Sequence, residues 1–123
     1  MRKQASTNFE NEQRIIESCA MAYTVSIIDG RWKPAILWQL VKGKLRYNEL
    51  RKAIPAASER ILVLQLRELE QDGLIKRIVY AEVPPKVEYL LTEKGTSLKP
   101  LLKAMSDWGK NFQPKKKSAK NAA

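Results

Sequence analysis

Residues 47–80 read YNELRKAIPAASERILVLQLRELEQDGLIKRIVY, and the spacing of their apolar side chains changes along the segment. The part from Tyr47 to Ile54 predicts a short helix, which Pro55 stops. After a brief turn, Ser58 is a favourable N-cap for a longer helix, and Gly73 stands where a C-terminal glycine belongs. Apolar residues at steps of four and three give this longer helix an inward face. They are Leu62, Leu66 and Leu69.

After Gly73 the apolar residues alternate with polar ones, which is the period of a β-strand. We expect two short strands, over residues 74–79 and 87–91, that form a hairpin. Their connection, residues 81–86, is too long for a two-residue turn, and its prolines cannot donate ladder hydrogen bonds. It is therefore expected to project as a stiff loop.

Helices are also expected on both sides of this segment. Thr7-Asn8-Phe9-Glu10 has the form of a capping box, which predicts a helix over much of Asn8 to Ile28. A second helix over residues 32–41 is ended by Gly43, and the spacing over residues 98–112 predicts a last one. The predicted fold class is mainly α with a small β-hairpin (α+β), arranged as a winged helix-turn-helix. In that fold the second helix of the pair enters the DNA major groove and the hairpin touches the backbone.

The composition excludes several classes of protein. The chain has 123 residues, with 23 Lys and Arg against 13 Asp and Glu, no His and one Cys. This length leaves room for one domain, which excludes multi-domain enzymes. The missing His and the single Cys exclude zinc fingers, disulfide scaffolds and most hydrolase triads, so we predict no metal and no cofactor. Because no apolar run is long enough for a membrane span and no secretory signal is recognisable, we predict no membrane partner and a cytoplasmic location.

The distribution of charge points to a polyanionic partner. The net charge of +10 divides into −1 over residues 1–30, +6 over residues 31–77 and +5 over residues 78–123. Residues 114–123 are rich in lysine and almost free of apolar side chains, so they are predicted to be a disordered basic tail after a single domain, residues 1–113. The excess charge of the domain itself favours double-stranded DNA as the partner.

The predicted DNA-binding residues lie on three elements. On the longer helix they face outward, and those of the first turn are the ones that reach base edges. Basic and polar residues beside the short helix and on the hairpin are expected to contact phosphates. The full set is Arg46, Asn48, Arg51, Lys52, Ser58, Glu59, Arg60, Val63, Leu64, Arg67, Lys76, Arg77 and Lys86.

Several short motifs, in order and with consistent spacing, resemble those of one family. They are GRW at 30–32, RYNEL at 46–50, LRELE at 66–70, DGLI at 72–75, VPPKVEY at 83–89, LTEKG at 91–95 and WG at 108–109. With Cys19 ahead of them, the chain resembles the HxlR-type winged-helix regulators, small DNA-binding transcription factors related to the MarR group.

The resemblance implies a homodimer that is held by the first and last helices and binds a palindromic operator with one reading helix per half-site. On the same grounds, repression is expected rather than activation. The terminal helices carry more apolar surface than so small a domain covers alone, which agrees with dimerisation. The predicted interface residues are Phe9, Ile16, Tyr23, Leu102, Met105, Trp108 and Phe112.

Cys19 has two interpretations. A cysteine at a helical core position is usually a small apolar residue, whereas many members of the resembled family use a cysteine here to sense oxidants, quinones or aldehydes. A helix that starts at Ser18 would favour the reactive thiolate through its positive end. The family commonly has proline after this cysteine, but here Ala20 follows, and one continuous helix would remove that assistance. A thiol sensor with an oxidant or small-molecule effector stays open at this point.

Two further functions compete with sequence-specific regulation. Val63 and Leu64 replace residues that are commonly polar in the family, so thymine methyls and DNA shape are expected to contribute to recognition. These apolar positions and the high charge also suit a non-specific or architectural nucleic-acid-binding protein. A winged helix that binds another protein is the remaining alternative. An enzyme is not predicted, since the sequence has neither a nucleophile elbow nor a Gly-rich phosphate loop.

Overall fold

The computed structural model of the chain describes residues 3–115 and contains seven helices and three strands in this range. The predicted basic tail, residues 114–123, lies outside the described residues except for its first two, and the division into a domain and a tail stays a prediction. In chain order the elements are α1 (Lys3–Ser18), α2 (Ala20–Ile28), α3 (Lys33–Leu40), β1 (Leu45–Arg46), α4 (Tyr47–Ala53), α5 (Glu59–Gln71), β2 (Ile75–Tyr80), β3 (Lys86–Leu91), α6 (Glu93–Thr96) and α7 (Lys99–Phe112).

The pair α4 and α5 forms the predicted helix-turn-helix. The Ser58 hydroxyl accepts a hydrogen bond from the Ile61 amide at 3.2 Å, which satisfies one of the free donors at the start of α5. Gly73 follows the end of α5 with a φ of +76°, a backbone conformation that suits glycine. The three inward leucines of α5 are fully buried, as their spacing predicted.

The predicted hairpin is part of a three-stranded antiparallel sheet with the order β1-β3-β2. Strand β1 has two residues, and it pairs Leu45 with Tyr89 and Arg46 with Glu88. So short a segment carries no alternation of its own, and its membership of the sheet therefore does not follow from the sequence. Strands β2 and β3 and their connecting loop form the wing. The added strand β1 connects the start of α4 to this wing through its pairing with β3.

The N-terminal segment is two helices rather than one. Helix α1 begins at Lys3, before the predicted start at Asn8, and ends at Ser18. Cys19 has extended backbone angles, φ −129° and ψ 111°, and stands at the N-cap of α2. Its amide still donates to the Ile15 carbonyl at 2.8 Å, and its carbonyl accepts from the Tyr23 amide at 3.1 Å. The two helices therefore meet at the cysteine, with only one residue outside both of them and without a proline.

The core lies between α3, α4, α5 and the sheet. Its most buried side chains are Ile36, Leu37, Leu40, Leu50, Leu62, Leu66, Leu69, Leu74 and Ile75. Helix α7 packs against α3 and contributes Leu102, which is 3% exposed. Leu102 was expected at a dimer interface, but its side chain lies in the core of the protomer. The apolar stripe of α7 is divided, since its first turns face α3 while Met105, Trp108 and Phe112 stay exposed.

Candidate DNA-binding surface

Helix α5 presents a row of exposed side chains on the face opposite its buried leucines. Arg60, Leu64 and Arg67 follow one another at steps of four and three, and all three are exposed. Val63 is half-buried beside this row. The row combines two guanidinium groups, which can donate to bases and phosphates, with an apolar side chain that can contact a thymine methyl group.

The start of α4 lies beside this helix and adds polar groups. The Arg46 amide donates to Glu49 Oε1 at 2.7 Å, which orders the first turn of α4. Arg51 reaches across to α5, where its Nη1 lies 3.6 Å from Glu59 Oε1. The predicted residues Asn48 and Lys52 are exposed on the same short helix. Glu59 therefore offsets part of the positive charge of this surface through an exposed ion pair.

Tyr47 also belongs to this surface, although it is not among the predicted DNA-binding residues. Its side chain lines two adjoining grooves, one between α4 and the wing and the other between α5 and the sheet. Its hydroxyl is buried and has no hydrogen-bond partner among the described residues. Burial raises the pKa of Tyr47, and the nearby Glu59 carboxylate adds to the increase. The hydroxyl is therefore a neutral donor at physiological pH. A tyrosine at a helix start resembles a core residue in sequence, and only the fold shows this position.

The wing divides the predicted cations between its two faces. Cross-strand pairs have their side chains on one face, so Arg77, which pairs with Tyr89, lies on the inner face toward α5. Arg77 lines the groove between α5 and the sheet together with Arg67. Lys76 is next to Arg77 on β2, and Lys86 pairs with Tyr80, three residues after Arg77. The side chains of both lysines therefore lie on the outer face. The fold thus brings Arg77 to the α5 row and places Lys76 and Lys86 on the other side of the sheet.

Two contacts hold α5 against α3. The Trp32 amide donates to Gln65 Oε1 at 2.9 Å, and Lys33 Nζ lies 2.8 Å from Glu68 Oε1. The Lys33 side chain is only 6% exposed, so its ammonium group depends on this carboxylate. These contacts fix the orientation of the surface row, which lies on the other side of α5.

Cys19 lies apart from this surface, between α1 and α2. It is half-buried and lines an open groove of about 410 Å³ together with Ile15, Ile16, Met21 and Val25, most of which are exposed. The wall of this groove is mostly apolar, although Glu12 and Asp29 also line it. Ile16, which was predicted at a dimer interface, is half-buried here.

The terminal helices expose large apolar side chains. Phe9, Trp108 and Phe112 are 59%, 66% and 67% exposed, and the last two rings stack with their centroids 4.7 Å apart. Tyr23 is also exposed, and its hydroxyl accepts a hydrogen bond from Lys94 Nζ at 3.3 Å. Apart from Leu102, the predicted interface residues are thus exposed or half-buried.

The residues that the structure describes form neither a metal site nor a membrane-spanning helix. In residues 3–115, no three His, Cys, Asp or Glu side chains are grouped closely enough to hold a metal ion. In the same part of the chain, each helix is too short or too polar to cross a membrane.

A helix-turn-helix with a flanking sheet, and two exposed arginines on its second helix, defines the class of winged helix-turn-helix transcriptional regulators. The comparisons with known proteins agree with this class. The HxlR-like helix-turn-helix family matches residues 27–117, and the chain belongs to this family. The predicted resemblance and the α+β winged-helix fold are confirmed.

Three relatives illustrate the similarity. The HTH-type transcriptional regulator YdeP of Bacillus subtilis is 52% identical over 97 residues, which cover 79% of this chain and 76% of the relative. The redox regulator HypR in its oxidized form is 44% identical with a TM-score of 0.75, over 79% of this chain and 100% of that chain. The reduced form of the transcriptional regulator YodB from B. subtilis is 37% identical with a TM-score of 0.67, over 77% and 93% of the two chains.

Proposed function

We propose that the protein is a homodimeric repressor that binds a palindromic operator with one α5 helix in each half-site. The observation that carries the proposal is the exposed row Arg60, Leu64 and Arg67 on a helix whose opposite face is fully committed to the core. A helix fixed in this way can present the same side chains to each half-site. The chain regulates transcription by occupying the promoter.

The terminal helices support the dimer. The exposed aromatic rings at the two ends of the described chain form apolar surface that a second copy can cover. A two-fold axis between the copies would repeat α5 on both sides and thus match a palindrome. Phe9, Met105, Trp108 and Phe112 are the residues that we assign to this interface, with Ile16 and Tyr23 nearer its edge.

Selection of duplexes from a random-sequence library, at near-physiological salt, tests the proposal. We expect the bound pool to contain a two-fold symmetric consensus with half-site centres about 34 Å apart, one helical turn of DNA. Retention of duplexes without enrichment would instead support the architectural nucleic-acid binder, which the exposed Leu64 and the net charge also suit. Absence of retention would contradict both and leave a protein partner.

Arg60 tests whether α5 reads bases. Replacing Arg60 with alanine should weaken binding to the selected duplex by about 1–3 kcal/mol, with a smaller loss on random duplex. Arg14 on α1 is a matched control, because it is an exposed arginine outside the surface. The R14A variant removes the same charge and should leave the preference for the selected duplex unchanged. Equal losses for R60A on both duplexes would contradict base reading.

We further propose that Cys19 makes the regulator responsive to oxidants or electrophiles. The thiol lies at the junction of α1 and α2, where a modification can change the angle between the helices of the dimer. The similarity to the redox regulator HypR, and to YodB, which has been solved after treatment with diamide, supports this role. Since the chain has one cysteine, an oxidised product is a disulfide between two subunits or with a small thiol.

Diamide provides the test of this response. It takes up two electrons and two protons as two thiols join in a disulfide. We expect treated protein to migrate as a disulfide-linked dimer, or to gain the mass of an added thiol, and to lose operator affinity. The C19S variant should bind the operator and ignore diamide. Unchanged affinity of oxidised wild-type protein would contradict the sensor.

A further inference from the structure

The outer face of the wing holds a carboxylate that the proposed function does not use. Glu88 lies on the central strand β3 and is 7% exposed. Its Oε1 accepts a hydrogen bond from the Tyr80 hydroxyl at 2.8 Å and lies 3.4 Å from Lys44 Nζ. Its Oε2 lies 3.9 Å from Lys86 Nζ. One carboxylate thus connects three side chains from three segments of the chain.

The register of the sheet shows that Glu88 is surrounded by positive charge. Arg46 lies opposite Glu88 on β1, while Lys76 and Lys86 occupy alternate positions on the same outer face. With Lys44, four cations share this face with one anion, so the face keeps a net positive charge. The negative charge of Glu88 by itself weakens the attraction of this face to DNA, so a structural role would have to offset that loss.

We propose that Glu88 is a positioning residue that holds Lys44 and Lys86 as a paired contact for the DNA backbone. The inference rests on the proposed DNA binding. It assigns to Lys44 and Lys86 together one phosphate site on the outer face of the wing. Glu88 does not touch DNA in this arrangement.

The lysines keep the capacity to bind a phosphate while they are held. An ammonium group has three N–H donors, and one contact with Glu88 leaves the others free. The Lys44 side chain is 56% exposed and that of Lys86 25% exposed, so both remain open to solvent. Because a long lysine side chain loses rotamer freedom when it binds, ordering it beforehand lowers the cost of binding.

Tyr80 completes the arrangement. Its hydroxyl donates to Glu88, and its ring centre lies 4.4 Å from Lys86 Nζ, a distance suited to a cation–π contact. The hydrogen bond from Tyr80, with the charges of Lys44 and Lys86, lowers the pKa of Glu88. The carboxylate is therefore ionised at neutral pH and can hold both lysines.

The test compares two variants that remove one negative charge from the same wing. E88Q replaces the positioning carboxylate by an amide that still accepts from Tyr80. E82Q makes the same change at Glu82, an exposed residue of the wing loop. Affinity for the selected operator and for a random duplex would be measured by fluorescence anisotropy over a series of salt concentrations.

We expect E88Q to bind both duplexes about three- to tenfold more weakly, with a salt slope reduced by up to about 1.8, which corresponds to two lost phosphate contacts. E82Q should bind as tightly as wild type or slightly more tightly, because it loses a negative charge that repels DNA. In a K44A/K86A background, adding E88Q should cause no further loss. Unchanged or tighter binding by E88Q would overturn the proposal, since Glu88 would then act only as a repelling charge.

A second variant covers the case in which E88Q does not fold, as judged by thermal unfolding. Y80F keeps every charge and removes only the hydroxyl that anchors Glu88, so we expect about twofold weaker binding from the loosened lysines. Wild-type affinity for Y80F would overturn the proposal. If wild-type protein binds random duplex as tightly as the selected operator, the proposal of a sequence-specific regulator fails, while the proposal for Glu88 can still be tested on random duplex. If it binds neither duplex, both proposals fail.

Discussion

Apolar side chains are buried to different extents in the central region, residues 27–98, and in the terminal helices α1 and α7. Among the residues that the structure describes, the nine large side chains that are almost fully buried all belong to the central region. The terminal helices contribute Leu102 to the core, but they also carry Phe9, Trp108 and Phe112, each more than half exposed. Apolar stripes of similar appearance in the sequence thus have different outcomes within one protomer.

This difference shows that an apolar stripe on a helix predicts that the stripe is buried, but does not indicate whether the same chain or a second copy covers it. The leucines of α5 find α3 and the sheet within the same chain. The aromatic residues at the end of α7 extend beyond the central region and face solvent in the single chain. We attribute their apolar character to a second copy, as proposed above.

The largest effect that we expect on the central region comes from G95A. Thr92 donates its amide to the Leu74 carbonyl at 3.0 Å, and a Cβ on Gly95 would overlap that carbonyl oxygen. Backbone cannot move aside as a flexible side chain can, so we expect a loss of about 3 kcal/mol in the free energy of unfolding. Urea denaturation measures this loss.

Gly109 of the terminal helix α7 is the matched control for Gly95. No atom within 4 Å would meet a Cβ there. G109A should therefore stabilise the protein by about 1 kcal/mol through the higher helix propensity of alanine. A similar loss for both variants would contradict the distinction between a closed central region and open terminal helices.

The next largest effect concerns the proposed dimer. Glutamates in place of Trp108 and Phe112 would put charge on the exposed end of α7 without touching Leu102 in the core. We expect a folded monomer whose operator affinity is at least about 100-fold weaker, because the two half-sites are no longer bound together. Sedimentation velocity gives the oligomeric state, and anisotropy gives the affinity.

The exposed valine at the wing tip supplies a control for added charge. Val83 is 99% exposed and lies outside the terminal helices. V83E should leave the protein a dimer, although it weakens DNA binding through its charge. A double glutamate variant of α7 that remains dimeric would show that another surface joins the copies.

The sequence predicted the central region well because its signals are local. Ser58, Pro55 and Gly73 mark helix ends by their own backbone chemistry, and the alternation after Gly73 marks strands. The three-stranded sheet was missed, since the two residues of β1 acquire their partner only through the fold. The division of the wing cations between the two faces of the sheet likewise depends on the strand register. A shift of the register by one residue would move each side chain to the opposite face.

The candidate site was predicted in part, for the same reason. Arg60, Leu64 and Arg67 follow from the helical period once the buried leucines are known. The roles of Tyr47, Lys33 and Glu88 depend on neighbours distant in sequence, and a single lysine or glutamate in a basic chain gives no local sign of them. The sequence does not decide whether the helix breaks at Cys19, because Ala20 permits either a helix or its interruption.

A smaller effect compares ion pairs in the two regions. E68Q leaves the buried ammonium group of Lys33 in the central region without its counter-charge, and we expect a loss of about 2 kcal/mol because Glu68 itself is partly exposed. Lys103 and Asp107 of α7 form a pair of similar length, 2.9 Å, but both side chains are exposed. D107N should therefore leave the free energy of unfolding unchanged within error. Equal losses in urea denaturation would mean that burial does not separate the two pairs.

The smallest effect concerns helix caps. The Ser58 hydroxyl caps α5 in the central region, whereas α2 begins at Cys19, whose thiol makes no capping hydrogen bond. S58A should cost about 1 kcal/mol in the free energy of unfolding. C19S has nearly the same shape and offers the better cap, so we expect it to stabilise the protein by about 0.5 kcal/mol. Such a gain would mean that the cysteine is kept at the cost of helix stability, as a sensing thiol would be. A loss on C19S would instead show that the thiol contributes through packing with Ile15 and Ile16, which would favour a purely structural cysteine.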